Sequence, residues 1–491
     1  MALPAFDLWL TGLAAADVAW ATHEGAETLE RHRSQRLAKL LGVAAQASPL
    51  YRRVLEGRDP ARVRLHELPI AHKSELMACF GEWVTDPRLE LDALRAFTAD
   101  PSRIADAFLG RYVVWESSGS SGEPGVFVQD TSAMAVYDSL EALRRPRPRR
   151  LERLLDPWYL GETIAFVGAT RGHFASTVST ERLRRLNPLM AARVRDVSFL
   201  QPTDRLVAEL DALAPSVLST YPSAAVLLAR ERQAGRSRLA PKEVWTGGET
   251  LSPSMRRFVQ TAFGCPVVDS YGASEFLALA FECRCGRLHL NSDWAILESV
   301  DDKGRPVPPG ELGATALLTN LANHVQPLIR YDLGDRVRVL SRPCDCGSHL
   351  PAIEVQGRCD DTLQLRGASG RTVHVLPLAL STVLEDDAGL FDFQLEQEGP
   401  CELLLHTPMQ GPAAEAVLQR ARTVLTNFLA RQGVPAARIR CRCGAPNRVG
   451  PGGKVRRVLV PERRPRRTET ASAPSRSHAA HAPAPAQEET P

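Results

Sequence analysis

The chain has 491 residues, 60 Lys+Arg against 57 Asp+Glu, a formal net charge of +3 and ten cysteines. That length exceeds one ordinary core and points to two or three domains around a cleft, while the near-balanced charge excludes a global field suited to nucleic acid or an anionic membrane. No run reaches the roughly 18 uninterrupted apolar residues of a membrane span, and the apolar N-terminus, interrupted by Asp7 and Asp17 with no preceding Lys or Arg, reads as a helical start of a cytoplasmic protein rather than a secretory signal.

In chain order, Leu29, Leu37, Leu40 and Leu41 fall at helical spacing and predict an amphipathic helix from residue 28, broken at Ser48-Pro49 before a second short one. Residues 112–115 are β-rich. Short β-rich runs at 163–167, 217–219, 244–246 and 267–270 then alternate with helical stretches at 223–234 and 252–263. That alternation predicts an α/β fold with a largely parallel sheet. The proline-broken basic run Arg144-Arg-Pro-Arg-Pro-Arg-Arg150 reads first as a solvated loop and second as a docking patch for an anionic partner. After about Gly357 the texture changes to a smaller α+β unit, with strands near 391–397 and 401–406 beside a helix at 413–431. Residues 461–491 carry no large apolar side chain and read as a disordered tail.

The segment Trp115-Glu-Ser-Ser-Gly-Ser-Ser-Gly-Glu-Pro-Gly-Val126 follows the first β-rich run directly. Glycines let backbone N–H groups face inward and serine hydroxyls add donors, so Ser117, Ser118, Gly119, Ser120, Ser121 and Gly122 form a candidate phosphate cradle. The GxxxxGK[ST] spacing of the common nucleotide loop is absent.

This loop resembles the (S/T)SG(S/T)TGxP signature of the acyl-adenylate-forming superfamily, and further stretches match in family order. Trp245-Thr-Gly-Gly-Glu249 resembles the strand-end GGE, Asp269-Ser-Tyr-Gly-Ala-Ser-Glu275 the YGxTE, and Arg330-Tyr-Asp-Leu-Gly-Asp335 the RYRTGD. Gly357-Arg-Cys-Asp-Asp361 is similar to GRxDD, and Gly453-Lys-Val-Arg-Arg457 to the C-terminal GKxxR. Within the superfamily, Pro49-Leu-Tyr-Arg-Arg, Leu68-Pro-Ile-Ala-His-Lys73-Ser-Glu-Leu and the paired cysteines resemble the phenylacetate–CoA ligase-like branch. The resemblance implies a large multi-lobed N-terminal adenylate-forming domain with parallel sheets (1–357) and a small mobile α+β C-terminal domain (358–460).

It also implies an activity. ATP and a small carboxylic acid, an aromatic one favoured, would give an acyl-AMP with Mg²⁺, and coenzyme A would accept the acyl group. The alternatives are loading of a carrier-protein thiol or an amine, or a silent nucleotide-binding homologue. Ser117 to Gly122 would hold the β- and γ-phosphates; Gly248, Glu249, Asp269 and Gly272 belong to the nucleotide site; Tyr271 would lie against adenine. Glu275 would hold Mg²⁺, Asp335 the ribose hydroxyls, and Arg358 would assist with ribose or phosphate. Lys454 would bind the carboxylate and α-phosphate in the transition state, and Asp360 would be the hinge. Two departures stand out: Glu123 occupies a position where many relatives carry Lys, and Asp332-Leu333 replaces Arg-Thr.

Six cysteines form three Cys-x-Cys-Gly units. Cys283, Cys285, Cys344 and Cys346 together offer four thiolates for a structural Zn²⁺, with His289 or His349 as a replacement for one sulfur. The third pair, Cys441 and Cys443, is assigned no role.

Overall fold

The computed structural model describes residues 5–117, 124–146, 148–156, 159–170, 172–356, 362–390, 392–444 and 457–460. The N-terminal helix spans Leu8–Ala21, started by Asp7, whose side chain accepts from the Leu10 N–H. The amphipathic helix is Ala26–Ala47. Ser48 ends it and caps the next, Pro49–Val54, by accepting from the Tyr51 N–H, with proline at a first-turn position where no N–H is needed. No helix among the described residues is long and apolar enough to cross a membrane.

Nine strands form one mixed sheet in the spatial order Arg336–Val339, Ala352–Gln356, Leu288–Leu290, Phe276–Glu282, Val267–Ala273, Glu243–Thr246, Val217–Thr220, Ile164–Gly168 and Val194–Ser198. The strands from Val267–Ala273 onward pair in parallel, as the alternation predicted. The others add antiparallel. Helices such as Pro222–Gln233 and Pro253–Phe263 pack on the parallel part, whose strands are short and almost continuously buried.

The smaller α+β unit carries a hairpin, Leu363–Arg366 with Thr372–Val375, and a four-stranded sheet ordered Arg438–Cys443, Glu402–Thr407, Gln394–Gln397, Val458–Leu459. Helix Pro412–Arg431 covers that sheet. One apolar cluster joins Val197, Leu206 and Leu227 of the parallel layer to Leu380, Leu405 and Phe428 of this unit, so the two share a core as folded here. The expected hinge, residues 357–361, and the expected tail, 461–491, lie outside the described residues.

The basic run is not a solvated loop. The Arg144 side chain is 4% exposed and forks onto the fully buried Asp293, Nη1 to Oδ1 at 2.7 Å and Nη2 to Oδ2 at 2.8 Å. Arg149 donates to Glu243 at 2.7 Å and to Glu162 at 2.8 Å. Local composition concealed this because Asp293 and Glu243 lie 149 and 94 residues later in the chain than the arginines they hold. A buried guanidinium needs such partners to offset its desolvation.

Candidate active site

A cleft of about 2150 Å³ opens beyond the carboxyl ends of the parallel strands and is closed on one side by Pro377, Leu378, Ser381, Thr382 and Arg457 of the C-terminal unit. That end of a parallel sheet is where ligands bind in open α/β folds, because the strands stop there and the loops diverge. Ser117, Gly248, Glu249, Asp269, Tyr271, Gly272, Glu275 and Asp335 all line it. Ser118, Gly119, Ser120, Ser121, Gly122, Arg358, Asp360 and Lys454 lie outside the described residues.

Tyr271 is aimed by a bulge. Pairing between strands Val267–Ala273 and Phe276–Glu282 shifts register between Tyr271 and Ala273, and a Cβ at Gly272 would meet the Leu277 carbonyl oxygen at 2.0 Å, so only glycine fits. The Tyr271 hydroxyl donates to Asp335 Oδ2 at 3.0 Å. Burial first, and then the Asp335 charge, push its pKa well above the ordinary phenol value, so it stays a neutral donor.

Glu275 is fixed through its own backbone. Asn320 Nδ2 donates to the Glu275 carbonyl at 2.9 Å and to the Tyr137 hydroxyl at 2.8 Å. Burial raises the Glu275 carboxyl, opposed by the Tyr331 hydroxyl that donates to it and by the Lys73 charge. One residue earlier, the Ser274 carbonyl accepts from Trp115 Nε1 at 2.8 Å. That bond ties this turn to the strand Val113–Glu116, which leads into the Ser/Gly segment. The neck of the segment is closed by two bonds at 2.9 Å: the Ser117 N–H to the Gly125 carbonyl, and the Gly125 N–H to Ser117 Oγ.

Asp269 accepts from Thr246 Oγ1 at 2.7 Å, and its N–H donates to Glu282 Oε2 at 2.7 Å. Burial and the neighbouring Glu282 charge push its carboxyl to about 6, against the Thr246 bond. Gly248 has a φ of +76°, and a Cβ there would meet the Tyr221 ring at 2.8 Å, so the strand-end turn requires glycine. Both oxygens of Glu249 accept from Ser223, one from its N–H and one from its hydroxyl, each at 2.9 Å. This carboxylate therefore caps helix Pro222–Gln233.

Two residues here escaped the sequence reading. Arg330 is buried at a φ of 50°, an uncommon conformation for a non-glycine residue. It is held by its N–H to Thr319 Oγ1 at 3.0 Å, Nη1 to the Leu68 carbonyl at 2.6 Å and Nε to Glu298 at 3.1 Å. The next residue, Tyr331, donates its hydroxyl to Glu275. The second is Lys73, quoted above only as part of a similar stretch; its position beside Glu275 needs partners more than 200 residues away.

The cysteine pairs converge with one substitution. The ligand atoms of Cys283, His289, Cys344 and Cys346 lie within 4.8 Å of one another, while Cys285 is exposed and stands outside that set. Cys283 and Cys344 sulfurs are 3.7 Å apart, and Cys346 Sγ is 3.4 Å from His289 Nε2. A tetrahedral zinc with Zn–S of about 2.3 Å separates sulfurs by about 3.8 Å, so the spacing fits that ion. His289 Nδ1 donates to the Leu350 carbonyl at 2.7 Å, which leaves Nε2 as the ligating nitrogen. Cys441 and Cys443 lie on the C-terminal sheet, where the Cys441 thiol points to the Leu418 carbonyl at 3.9 Å.

Residues 191–316 match the family described as AMP-binding enzyme. The protein CapK of Staphylococcus aureus is 30% identical over 129 residues, which are 26% of this chain and 27% of that protein; the chain thus matches about a quarter of that relative's length. Among solved structures, 2-hydroxyisobutyryl-CoA ligase with 2-HIB-AMP and CoA in the thioesterification state is 21% identical, with 90% of this chain and 91% of that chain covered and a TM-score of 0.56. Its open conformation is 20% identical, with 88% and 91% covered and a TM-score of 0.50. Residues 191–316 thus match the AMP-binding enzyme family, and the mixed α/β fold with its C-terminal subdomain is similar to that of the 2-hydroxyisobutyryl-CoA ligase structures.

Proposed function

We propose, with the AMP-binding enzyme domain of residues 191–316 as premise, that this chain is an AMP-forming acid–thiol ligase. It would activate a small carboxylic acid with MgATP and transfer the acyl group to coenzyme A. In the first step a carboxylate oxygen attacks the α-phosphorus and the bond to pyrophosphate breaks; in the second the CoA thiolate attacks the acyl carbon and AMP leaves. The observation that carries the reading is the convergence of Ser117, Gly248, Tyr271, Glu275 and Asp335 on one cleft, although they come from motifs far apart in the chain.

The roles follow from chemistry and position. Tyr271 lies against the adenine, Asp335 accepts from the ribose hydroxyls, and Glu275 offers a carboxylate to the Mg²⁺ that accompanies the triphosphate. Ser117 to Gly122 take the phosphates. Lys454 approaches the reacting carboxylate and α-phosphate; its near neighbour Arg457 lines the cleft, which supports that reach. Arg358 and Asp360 serve at the hinge between 1–357 and 358–460.

For the acid we infer an aromatic or similarly apolar compound, in keeping with the phenylacetate–CoA ligase-like resemblance. Phe166, Phe174, Tyr221 and Trp245 line the cleft, and such walls favour apolar ligands. Coenzyme A ranks above a carrier protein as acceptor because Arg144 and Arg149, the core of the expected docking patch, are occupied inside the fold. A structural Zn²⁺ at Cys283, His289, Cys344 and Cys346 belongs to the proposal, in a cytoplasmic setting that keeps thiolates reduced. With all four positions filled by protein, the ion would join the strand-end turns without taking part in the reaction.

The test is acid-dependent ATP–pyrophosphate exchange with aromatic, fatty and amino acids. Exchange with one class supports acyl-AMP formation and names the substrate group, and adding CoA or a carrier then identifies the acceptor. Folded protein that exchanges with no acid rejects the reading in favour of a silent nucleotide-binding protein.

A further inference from the structure

Lys73 begins the helix Lys73–Ala78, yet its position is set by a strand far along the chain. The Ala71 N–H donates to the Arg330 carbonyl and the Asp332 N–H donates to the Ala71 carbonyl, both at 3.0 Å, a parallel bridge between Ala71 and Tyr331. This bridge holds residues 71–73 against the strand whose Tyr331 hydroxyl reaches Glu275. From there the Lys73 stem crosses the neck of the Ser/Gly segment: a Cβ at Gly125 would sit 3.1 Å from Lys73 Cδ. The half-buried ammonium lines the cleft and acts electrostatically on Glu275.

Carboxylates share the cleft with it. Glu116, Glu275 and Asp335 line it together with Lys73, and Glu275 also senses the Asp335 charge. A polyanionic triphosphate entering such a wall meets repulsion that a cation must offset, and lysine is suited to phosphate oxygens as a compact point charge. The Ser/Gly segment supplies no cation of its own, because residues 117–126 contain Glu123 and neither Lys nor Arg.

We propose that Lys73 is a phosphate-binding residue of this cleft, its ammonium taking the phosphate tail of a nucleoside triphosphate between Glu275 and the neck at Ser117 and Gly125. The assignment rests on the nucleotide-activating reading above. It makes Lys73 a discriminator of phosphate number: ATP gains from it, whereas AMP, whose single phosphate lies nearer the ribose, does not.

The experiment is calorimetric titration of MgATP and of AMP into the full-length wild-type protein, K73M and K73R, with thermal unfolding of each as a check on folding. K73M should lose about tenfold to a hundredfold in MgATP affinity, the size of one charge-assisted contact. Its AMP affinity should stay within about twofold on the same argument, and K73R should recover most of the MgATP loss. Equal losses for ATP and AMP, or no loss for ATP, overturn the assignment. Wild-type protein that binds MgATP but exchanges no pyrophosphate with any acid overturns the activation reading while the Lys73 comparison stands. Wild-type exchange with unchanged triphosphate affinity in K73M overturns the Lys73 assignment alone. Wild-type protein that binds neither nucleotide overturns both.

Discussion

The Tyr271 hydroxyl and the Asp335 carboxylate, 64 residues apart, meet at 3.0 Å across the cleft. The bond holds the aromatic ring proposed for adenine and the acceptor proposed for ribose in one arrangement before any nucleotide arrives, which lowers the ordering cost of binding. Asp335→Ala should therefore raise the KM for ATP in pyrophosphate exchange by about tenfold or more, the size of lost hydrogen bonds to a charged group. Thermal unfolding should change little, because Asp335 is only half-buried. An unchanged KM would remove Asp335 from the nucleotide site.

Lys454→Ala should lower acid-dependent exchange by orders of magnitude while leaving MgATP binding and unfolding close to wild type, as expected for a contact made in the transition state. A variant with unchanged exchange would end that role.

The metal set separates two arrangements that composition could not. Cys344→Ser and His289→Ala should each lose bound zinc and unfold at lower temperature, because a structural zinc contributes to folding free energy directly. Cys285→Ser should retain stoichiometric zinc by mass spectrometry. Zinc lost on replacing Cys285 and kept on replacing His289 would restore the four-sulfur site.

Asp269 gives a pH signature. Its carboxyl stands at about 6 in the folded protein, above its ordinary 3.8, so the folded state holds this proton more tightly than the unfolded one. The group's contribution to stability is full below about 4, falls as pH rises to about 6 and is flat above that. Asp269→Asn should remove this step, so its advantage over wild type should grow across that window to about 1–3 kcal/mol at pH 7. Urea unfolding of both proteins between pH 4 and 8 measures the difference; a constant offset would refute it.

Arg144→Ala should cost about 3–5 kcal/mol in urea unfolding, because it takes a bidentate partner from the fully buried Asp293. Arg145→Ala, whose Glu141 partner is 37% exposed, should cost about 1 kcal/mol or less. Equal effects would mean that the run behaves as the solvated loop its composition suggested.

The legible parts of the chain share one property: their signals are local. Strands 217–219 and 244–246 and helices 223–234 and 252–263 were readable because side-chain period and caps act within a few residues, and they recur as Val217–Thr220, Glu243–Thr246, Pro222–Gln233 and Pro253–Phe263. Tyr271, Glu275 and Asp335 were readable because each sits in a short pattern with a chemical meaning. Their meeting in one cleft was implied only by resemblance.

The sequence by itself determined the α/β alternation, the smaller C-terminal unit and the residue types that reach the cleft. Tertiary structure alone decided that His289 joins the sulfurs while Cys285 is exposed outside that set, that Arg144 and Arg149 go inside, and that Lys73 stands beside Glu275. Each outcome depends on partners tens to hundreds of residues away, and composition does not encode pairings at that range. Folding selects them, because a buried charge or a bare thiolate is stable only where the whole fold supplies its counterpart.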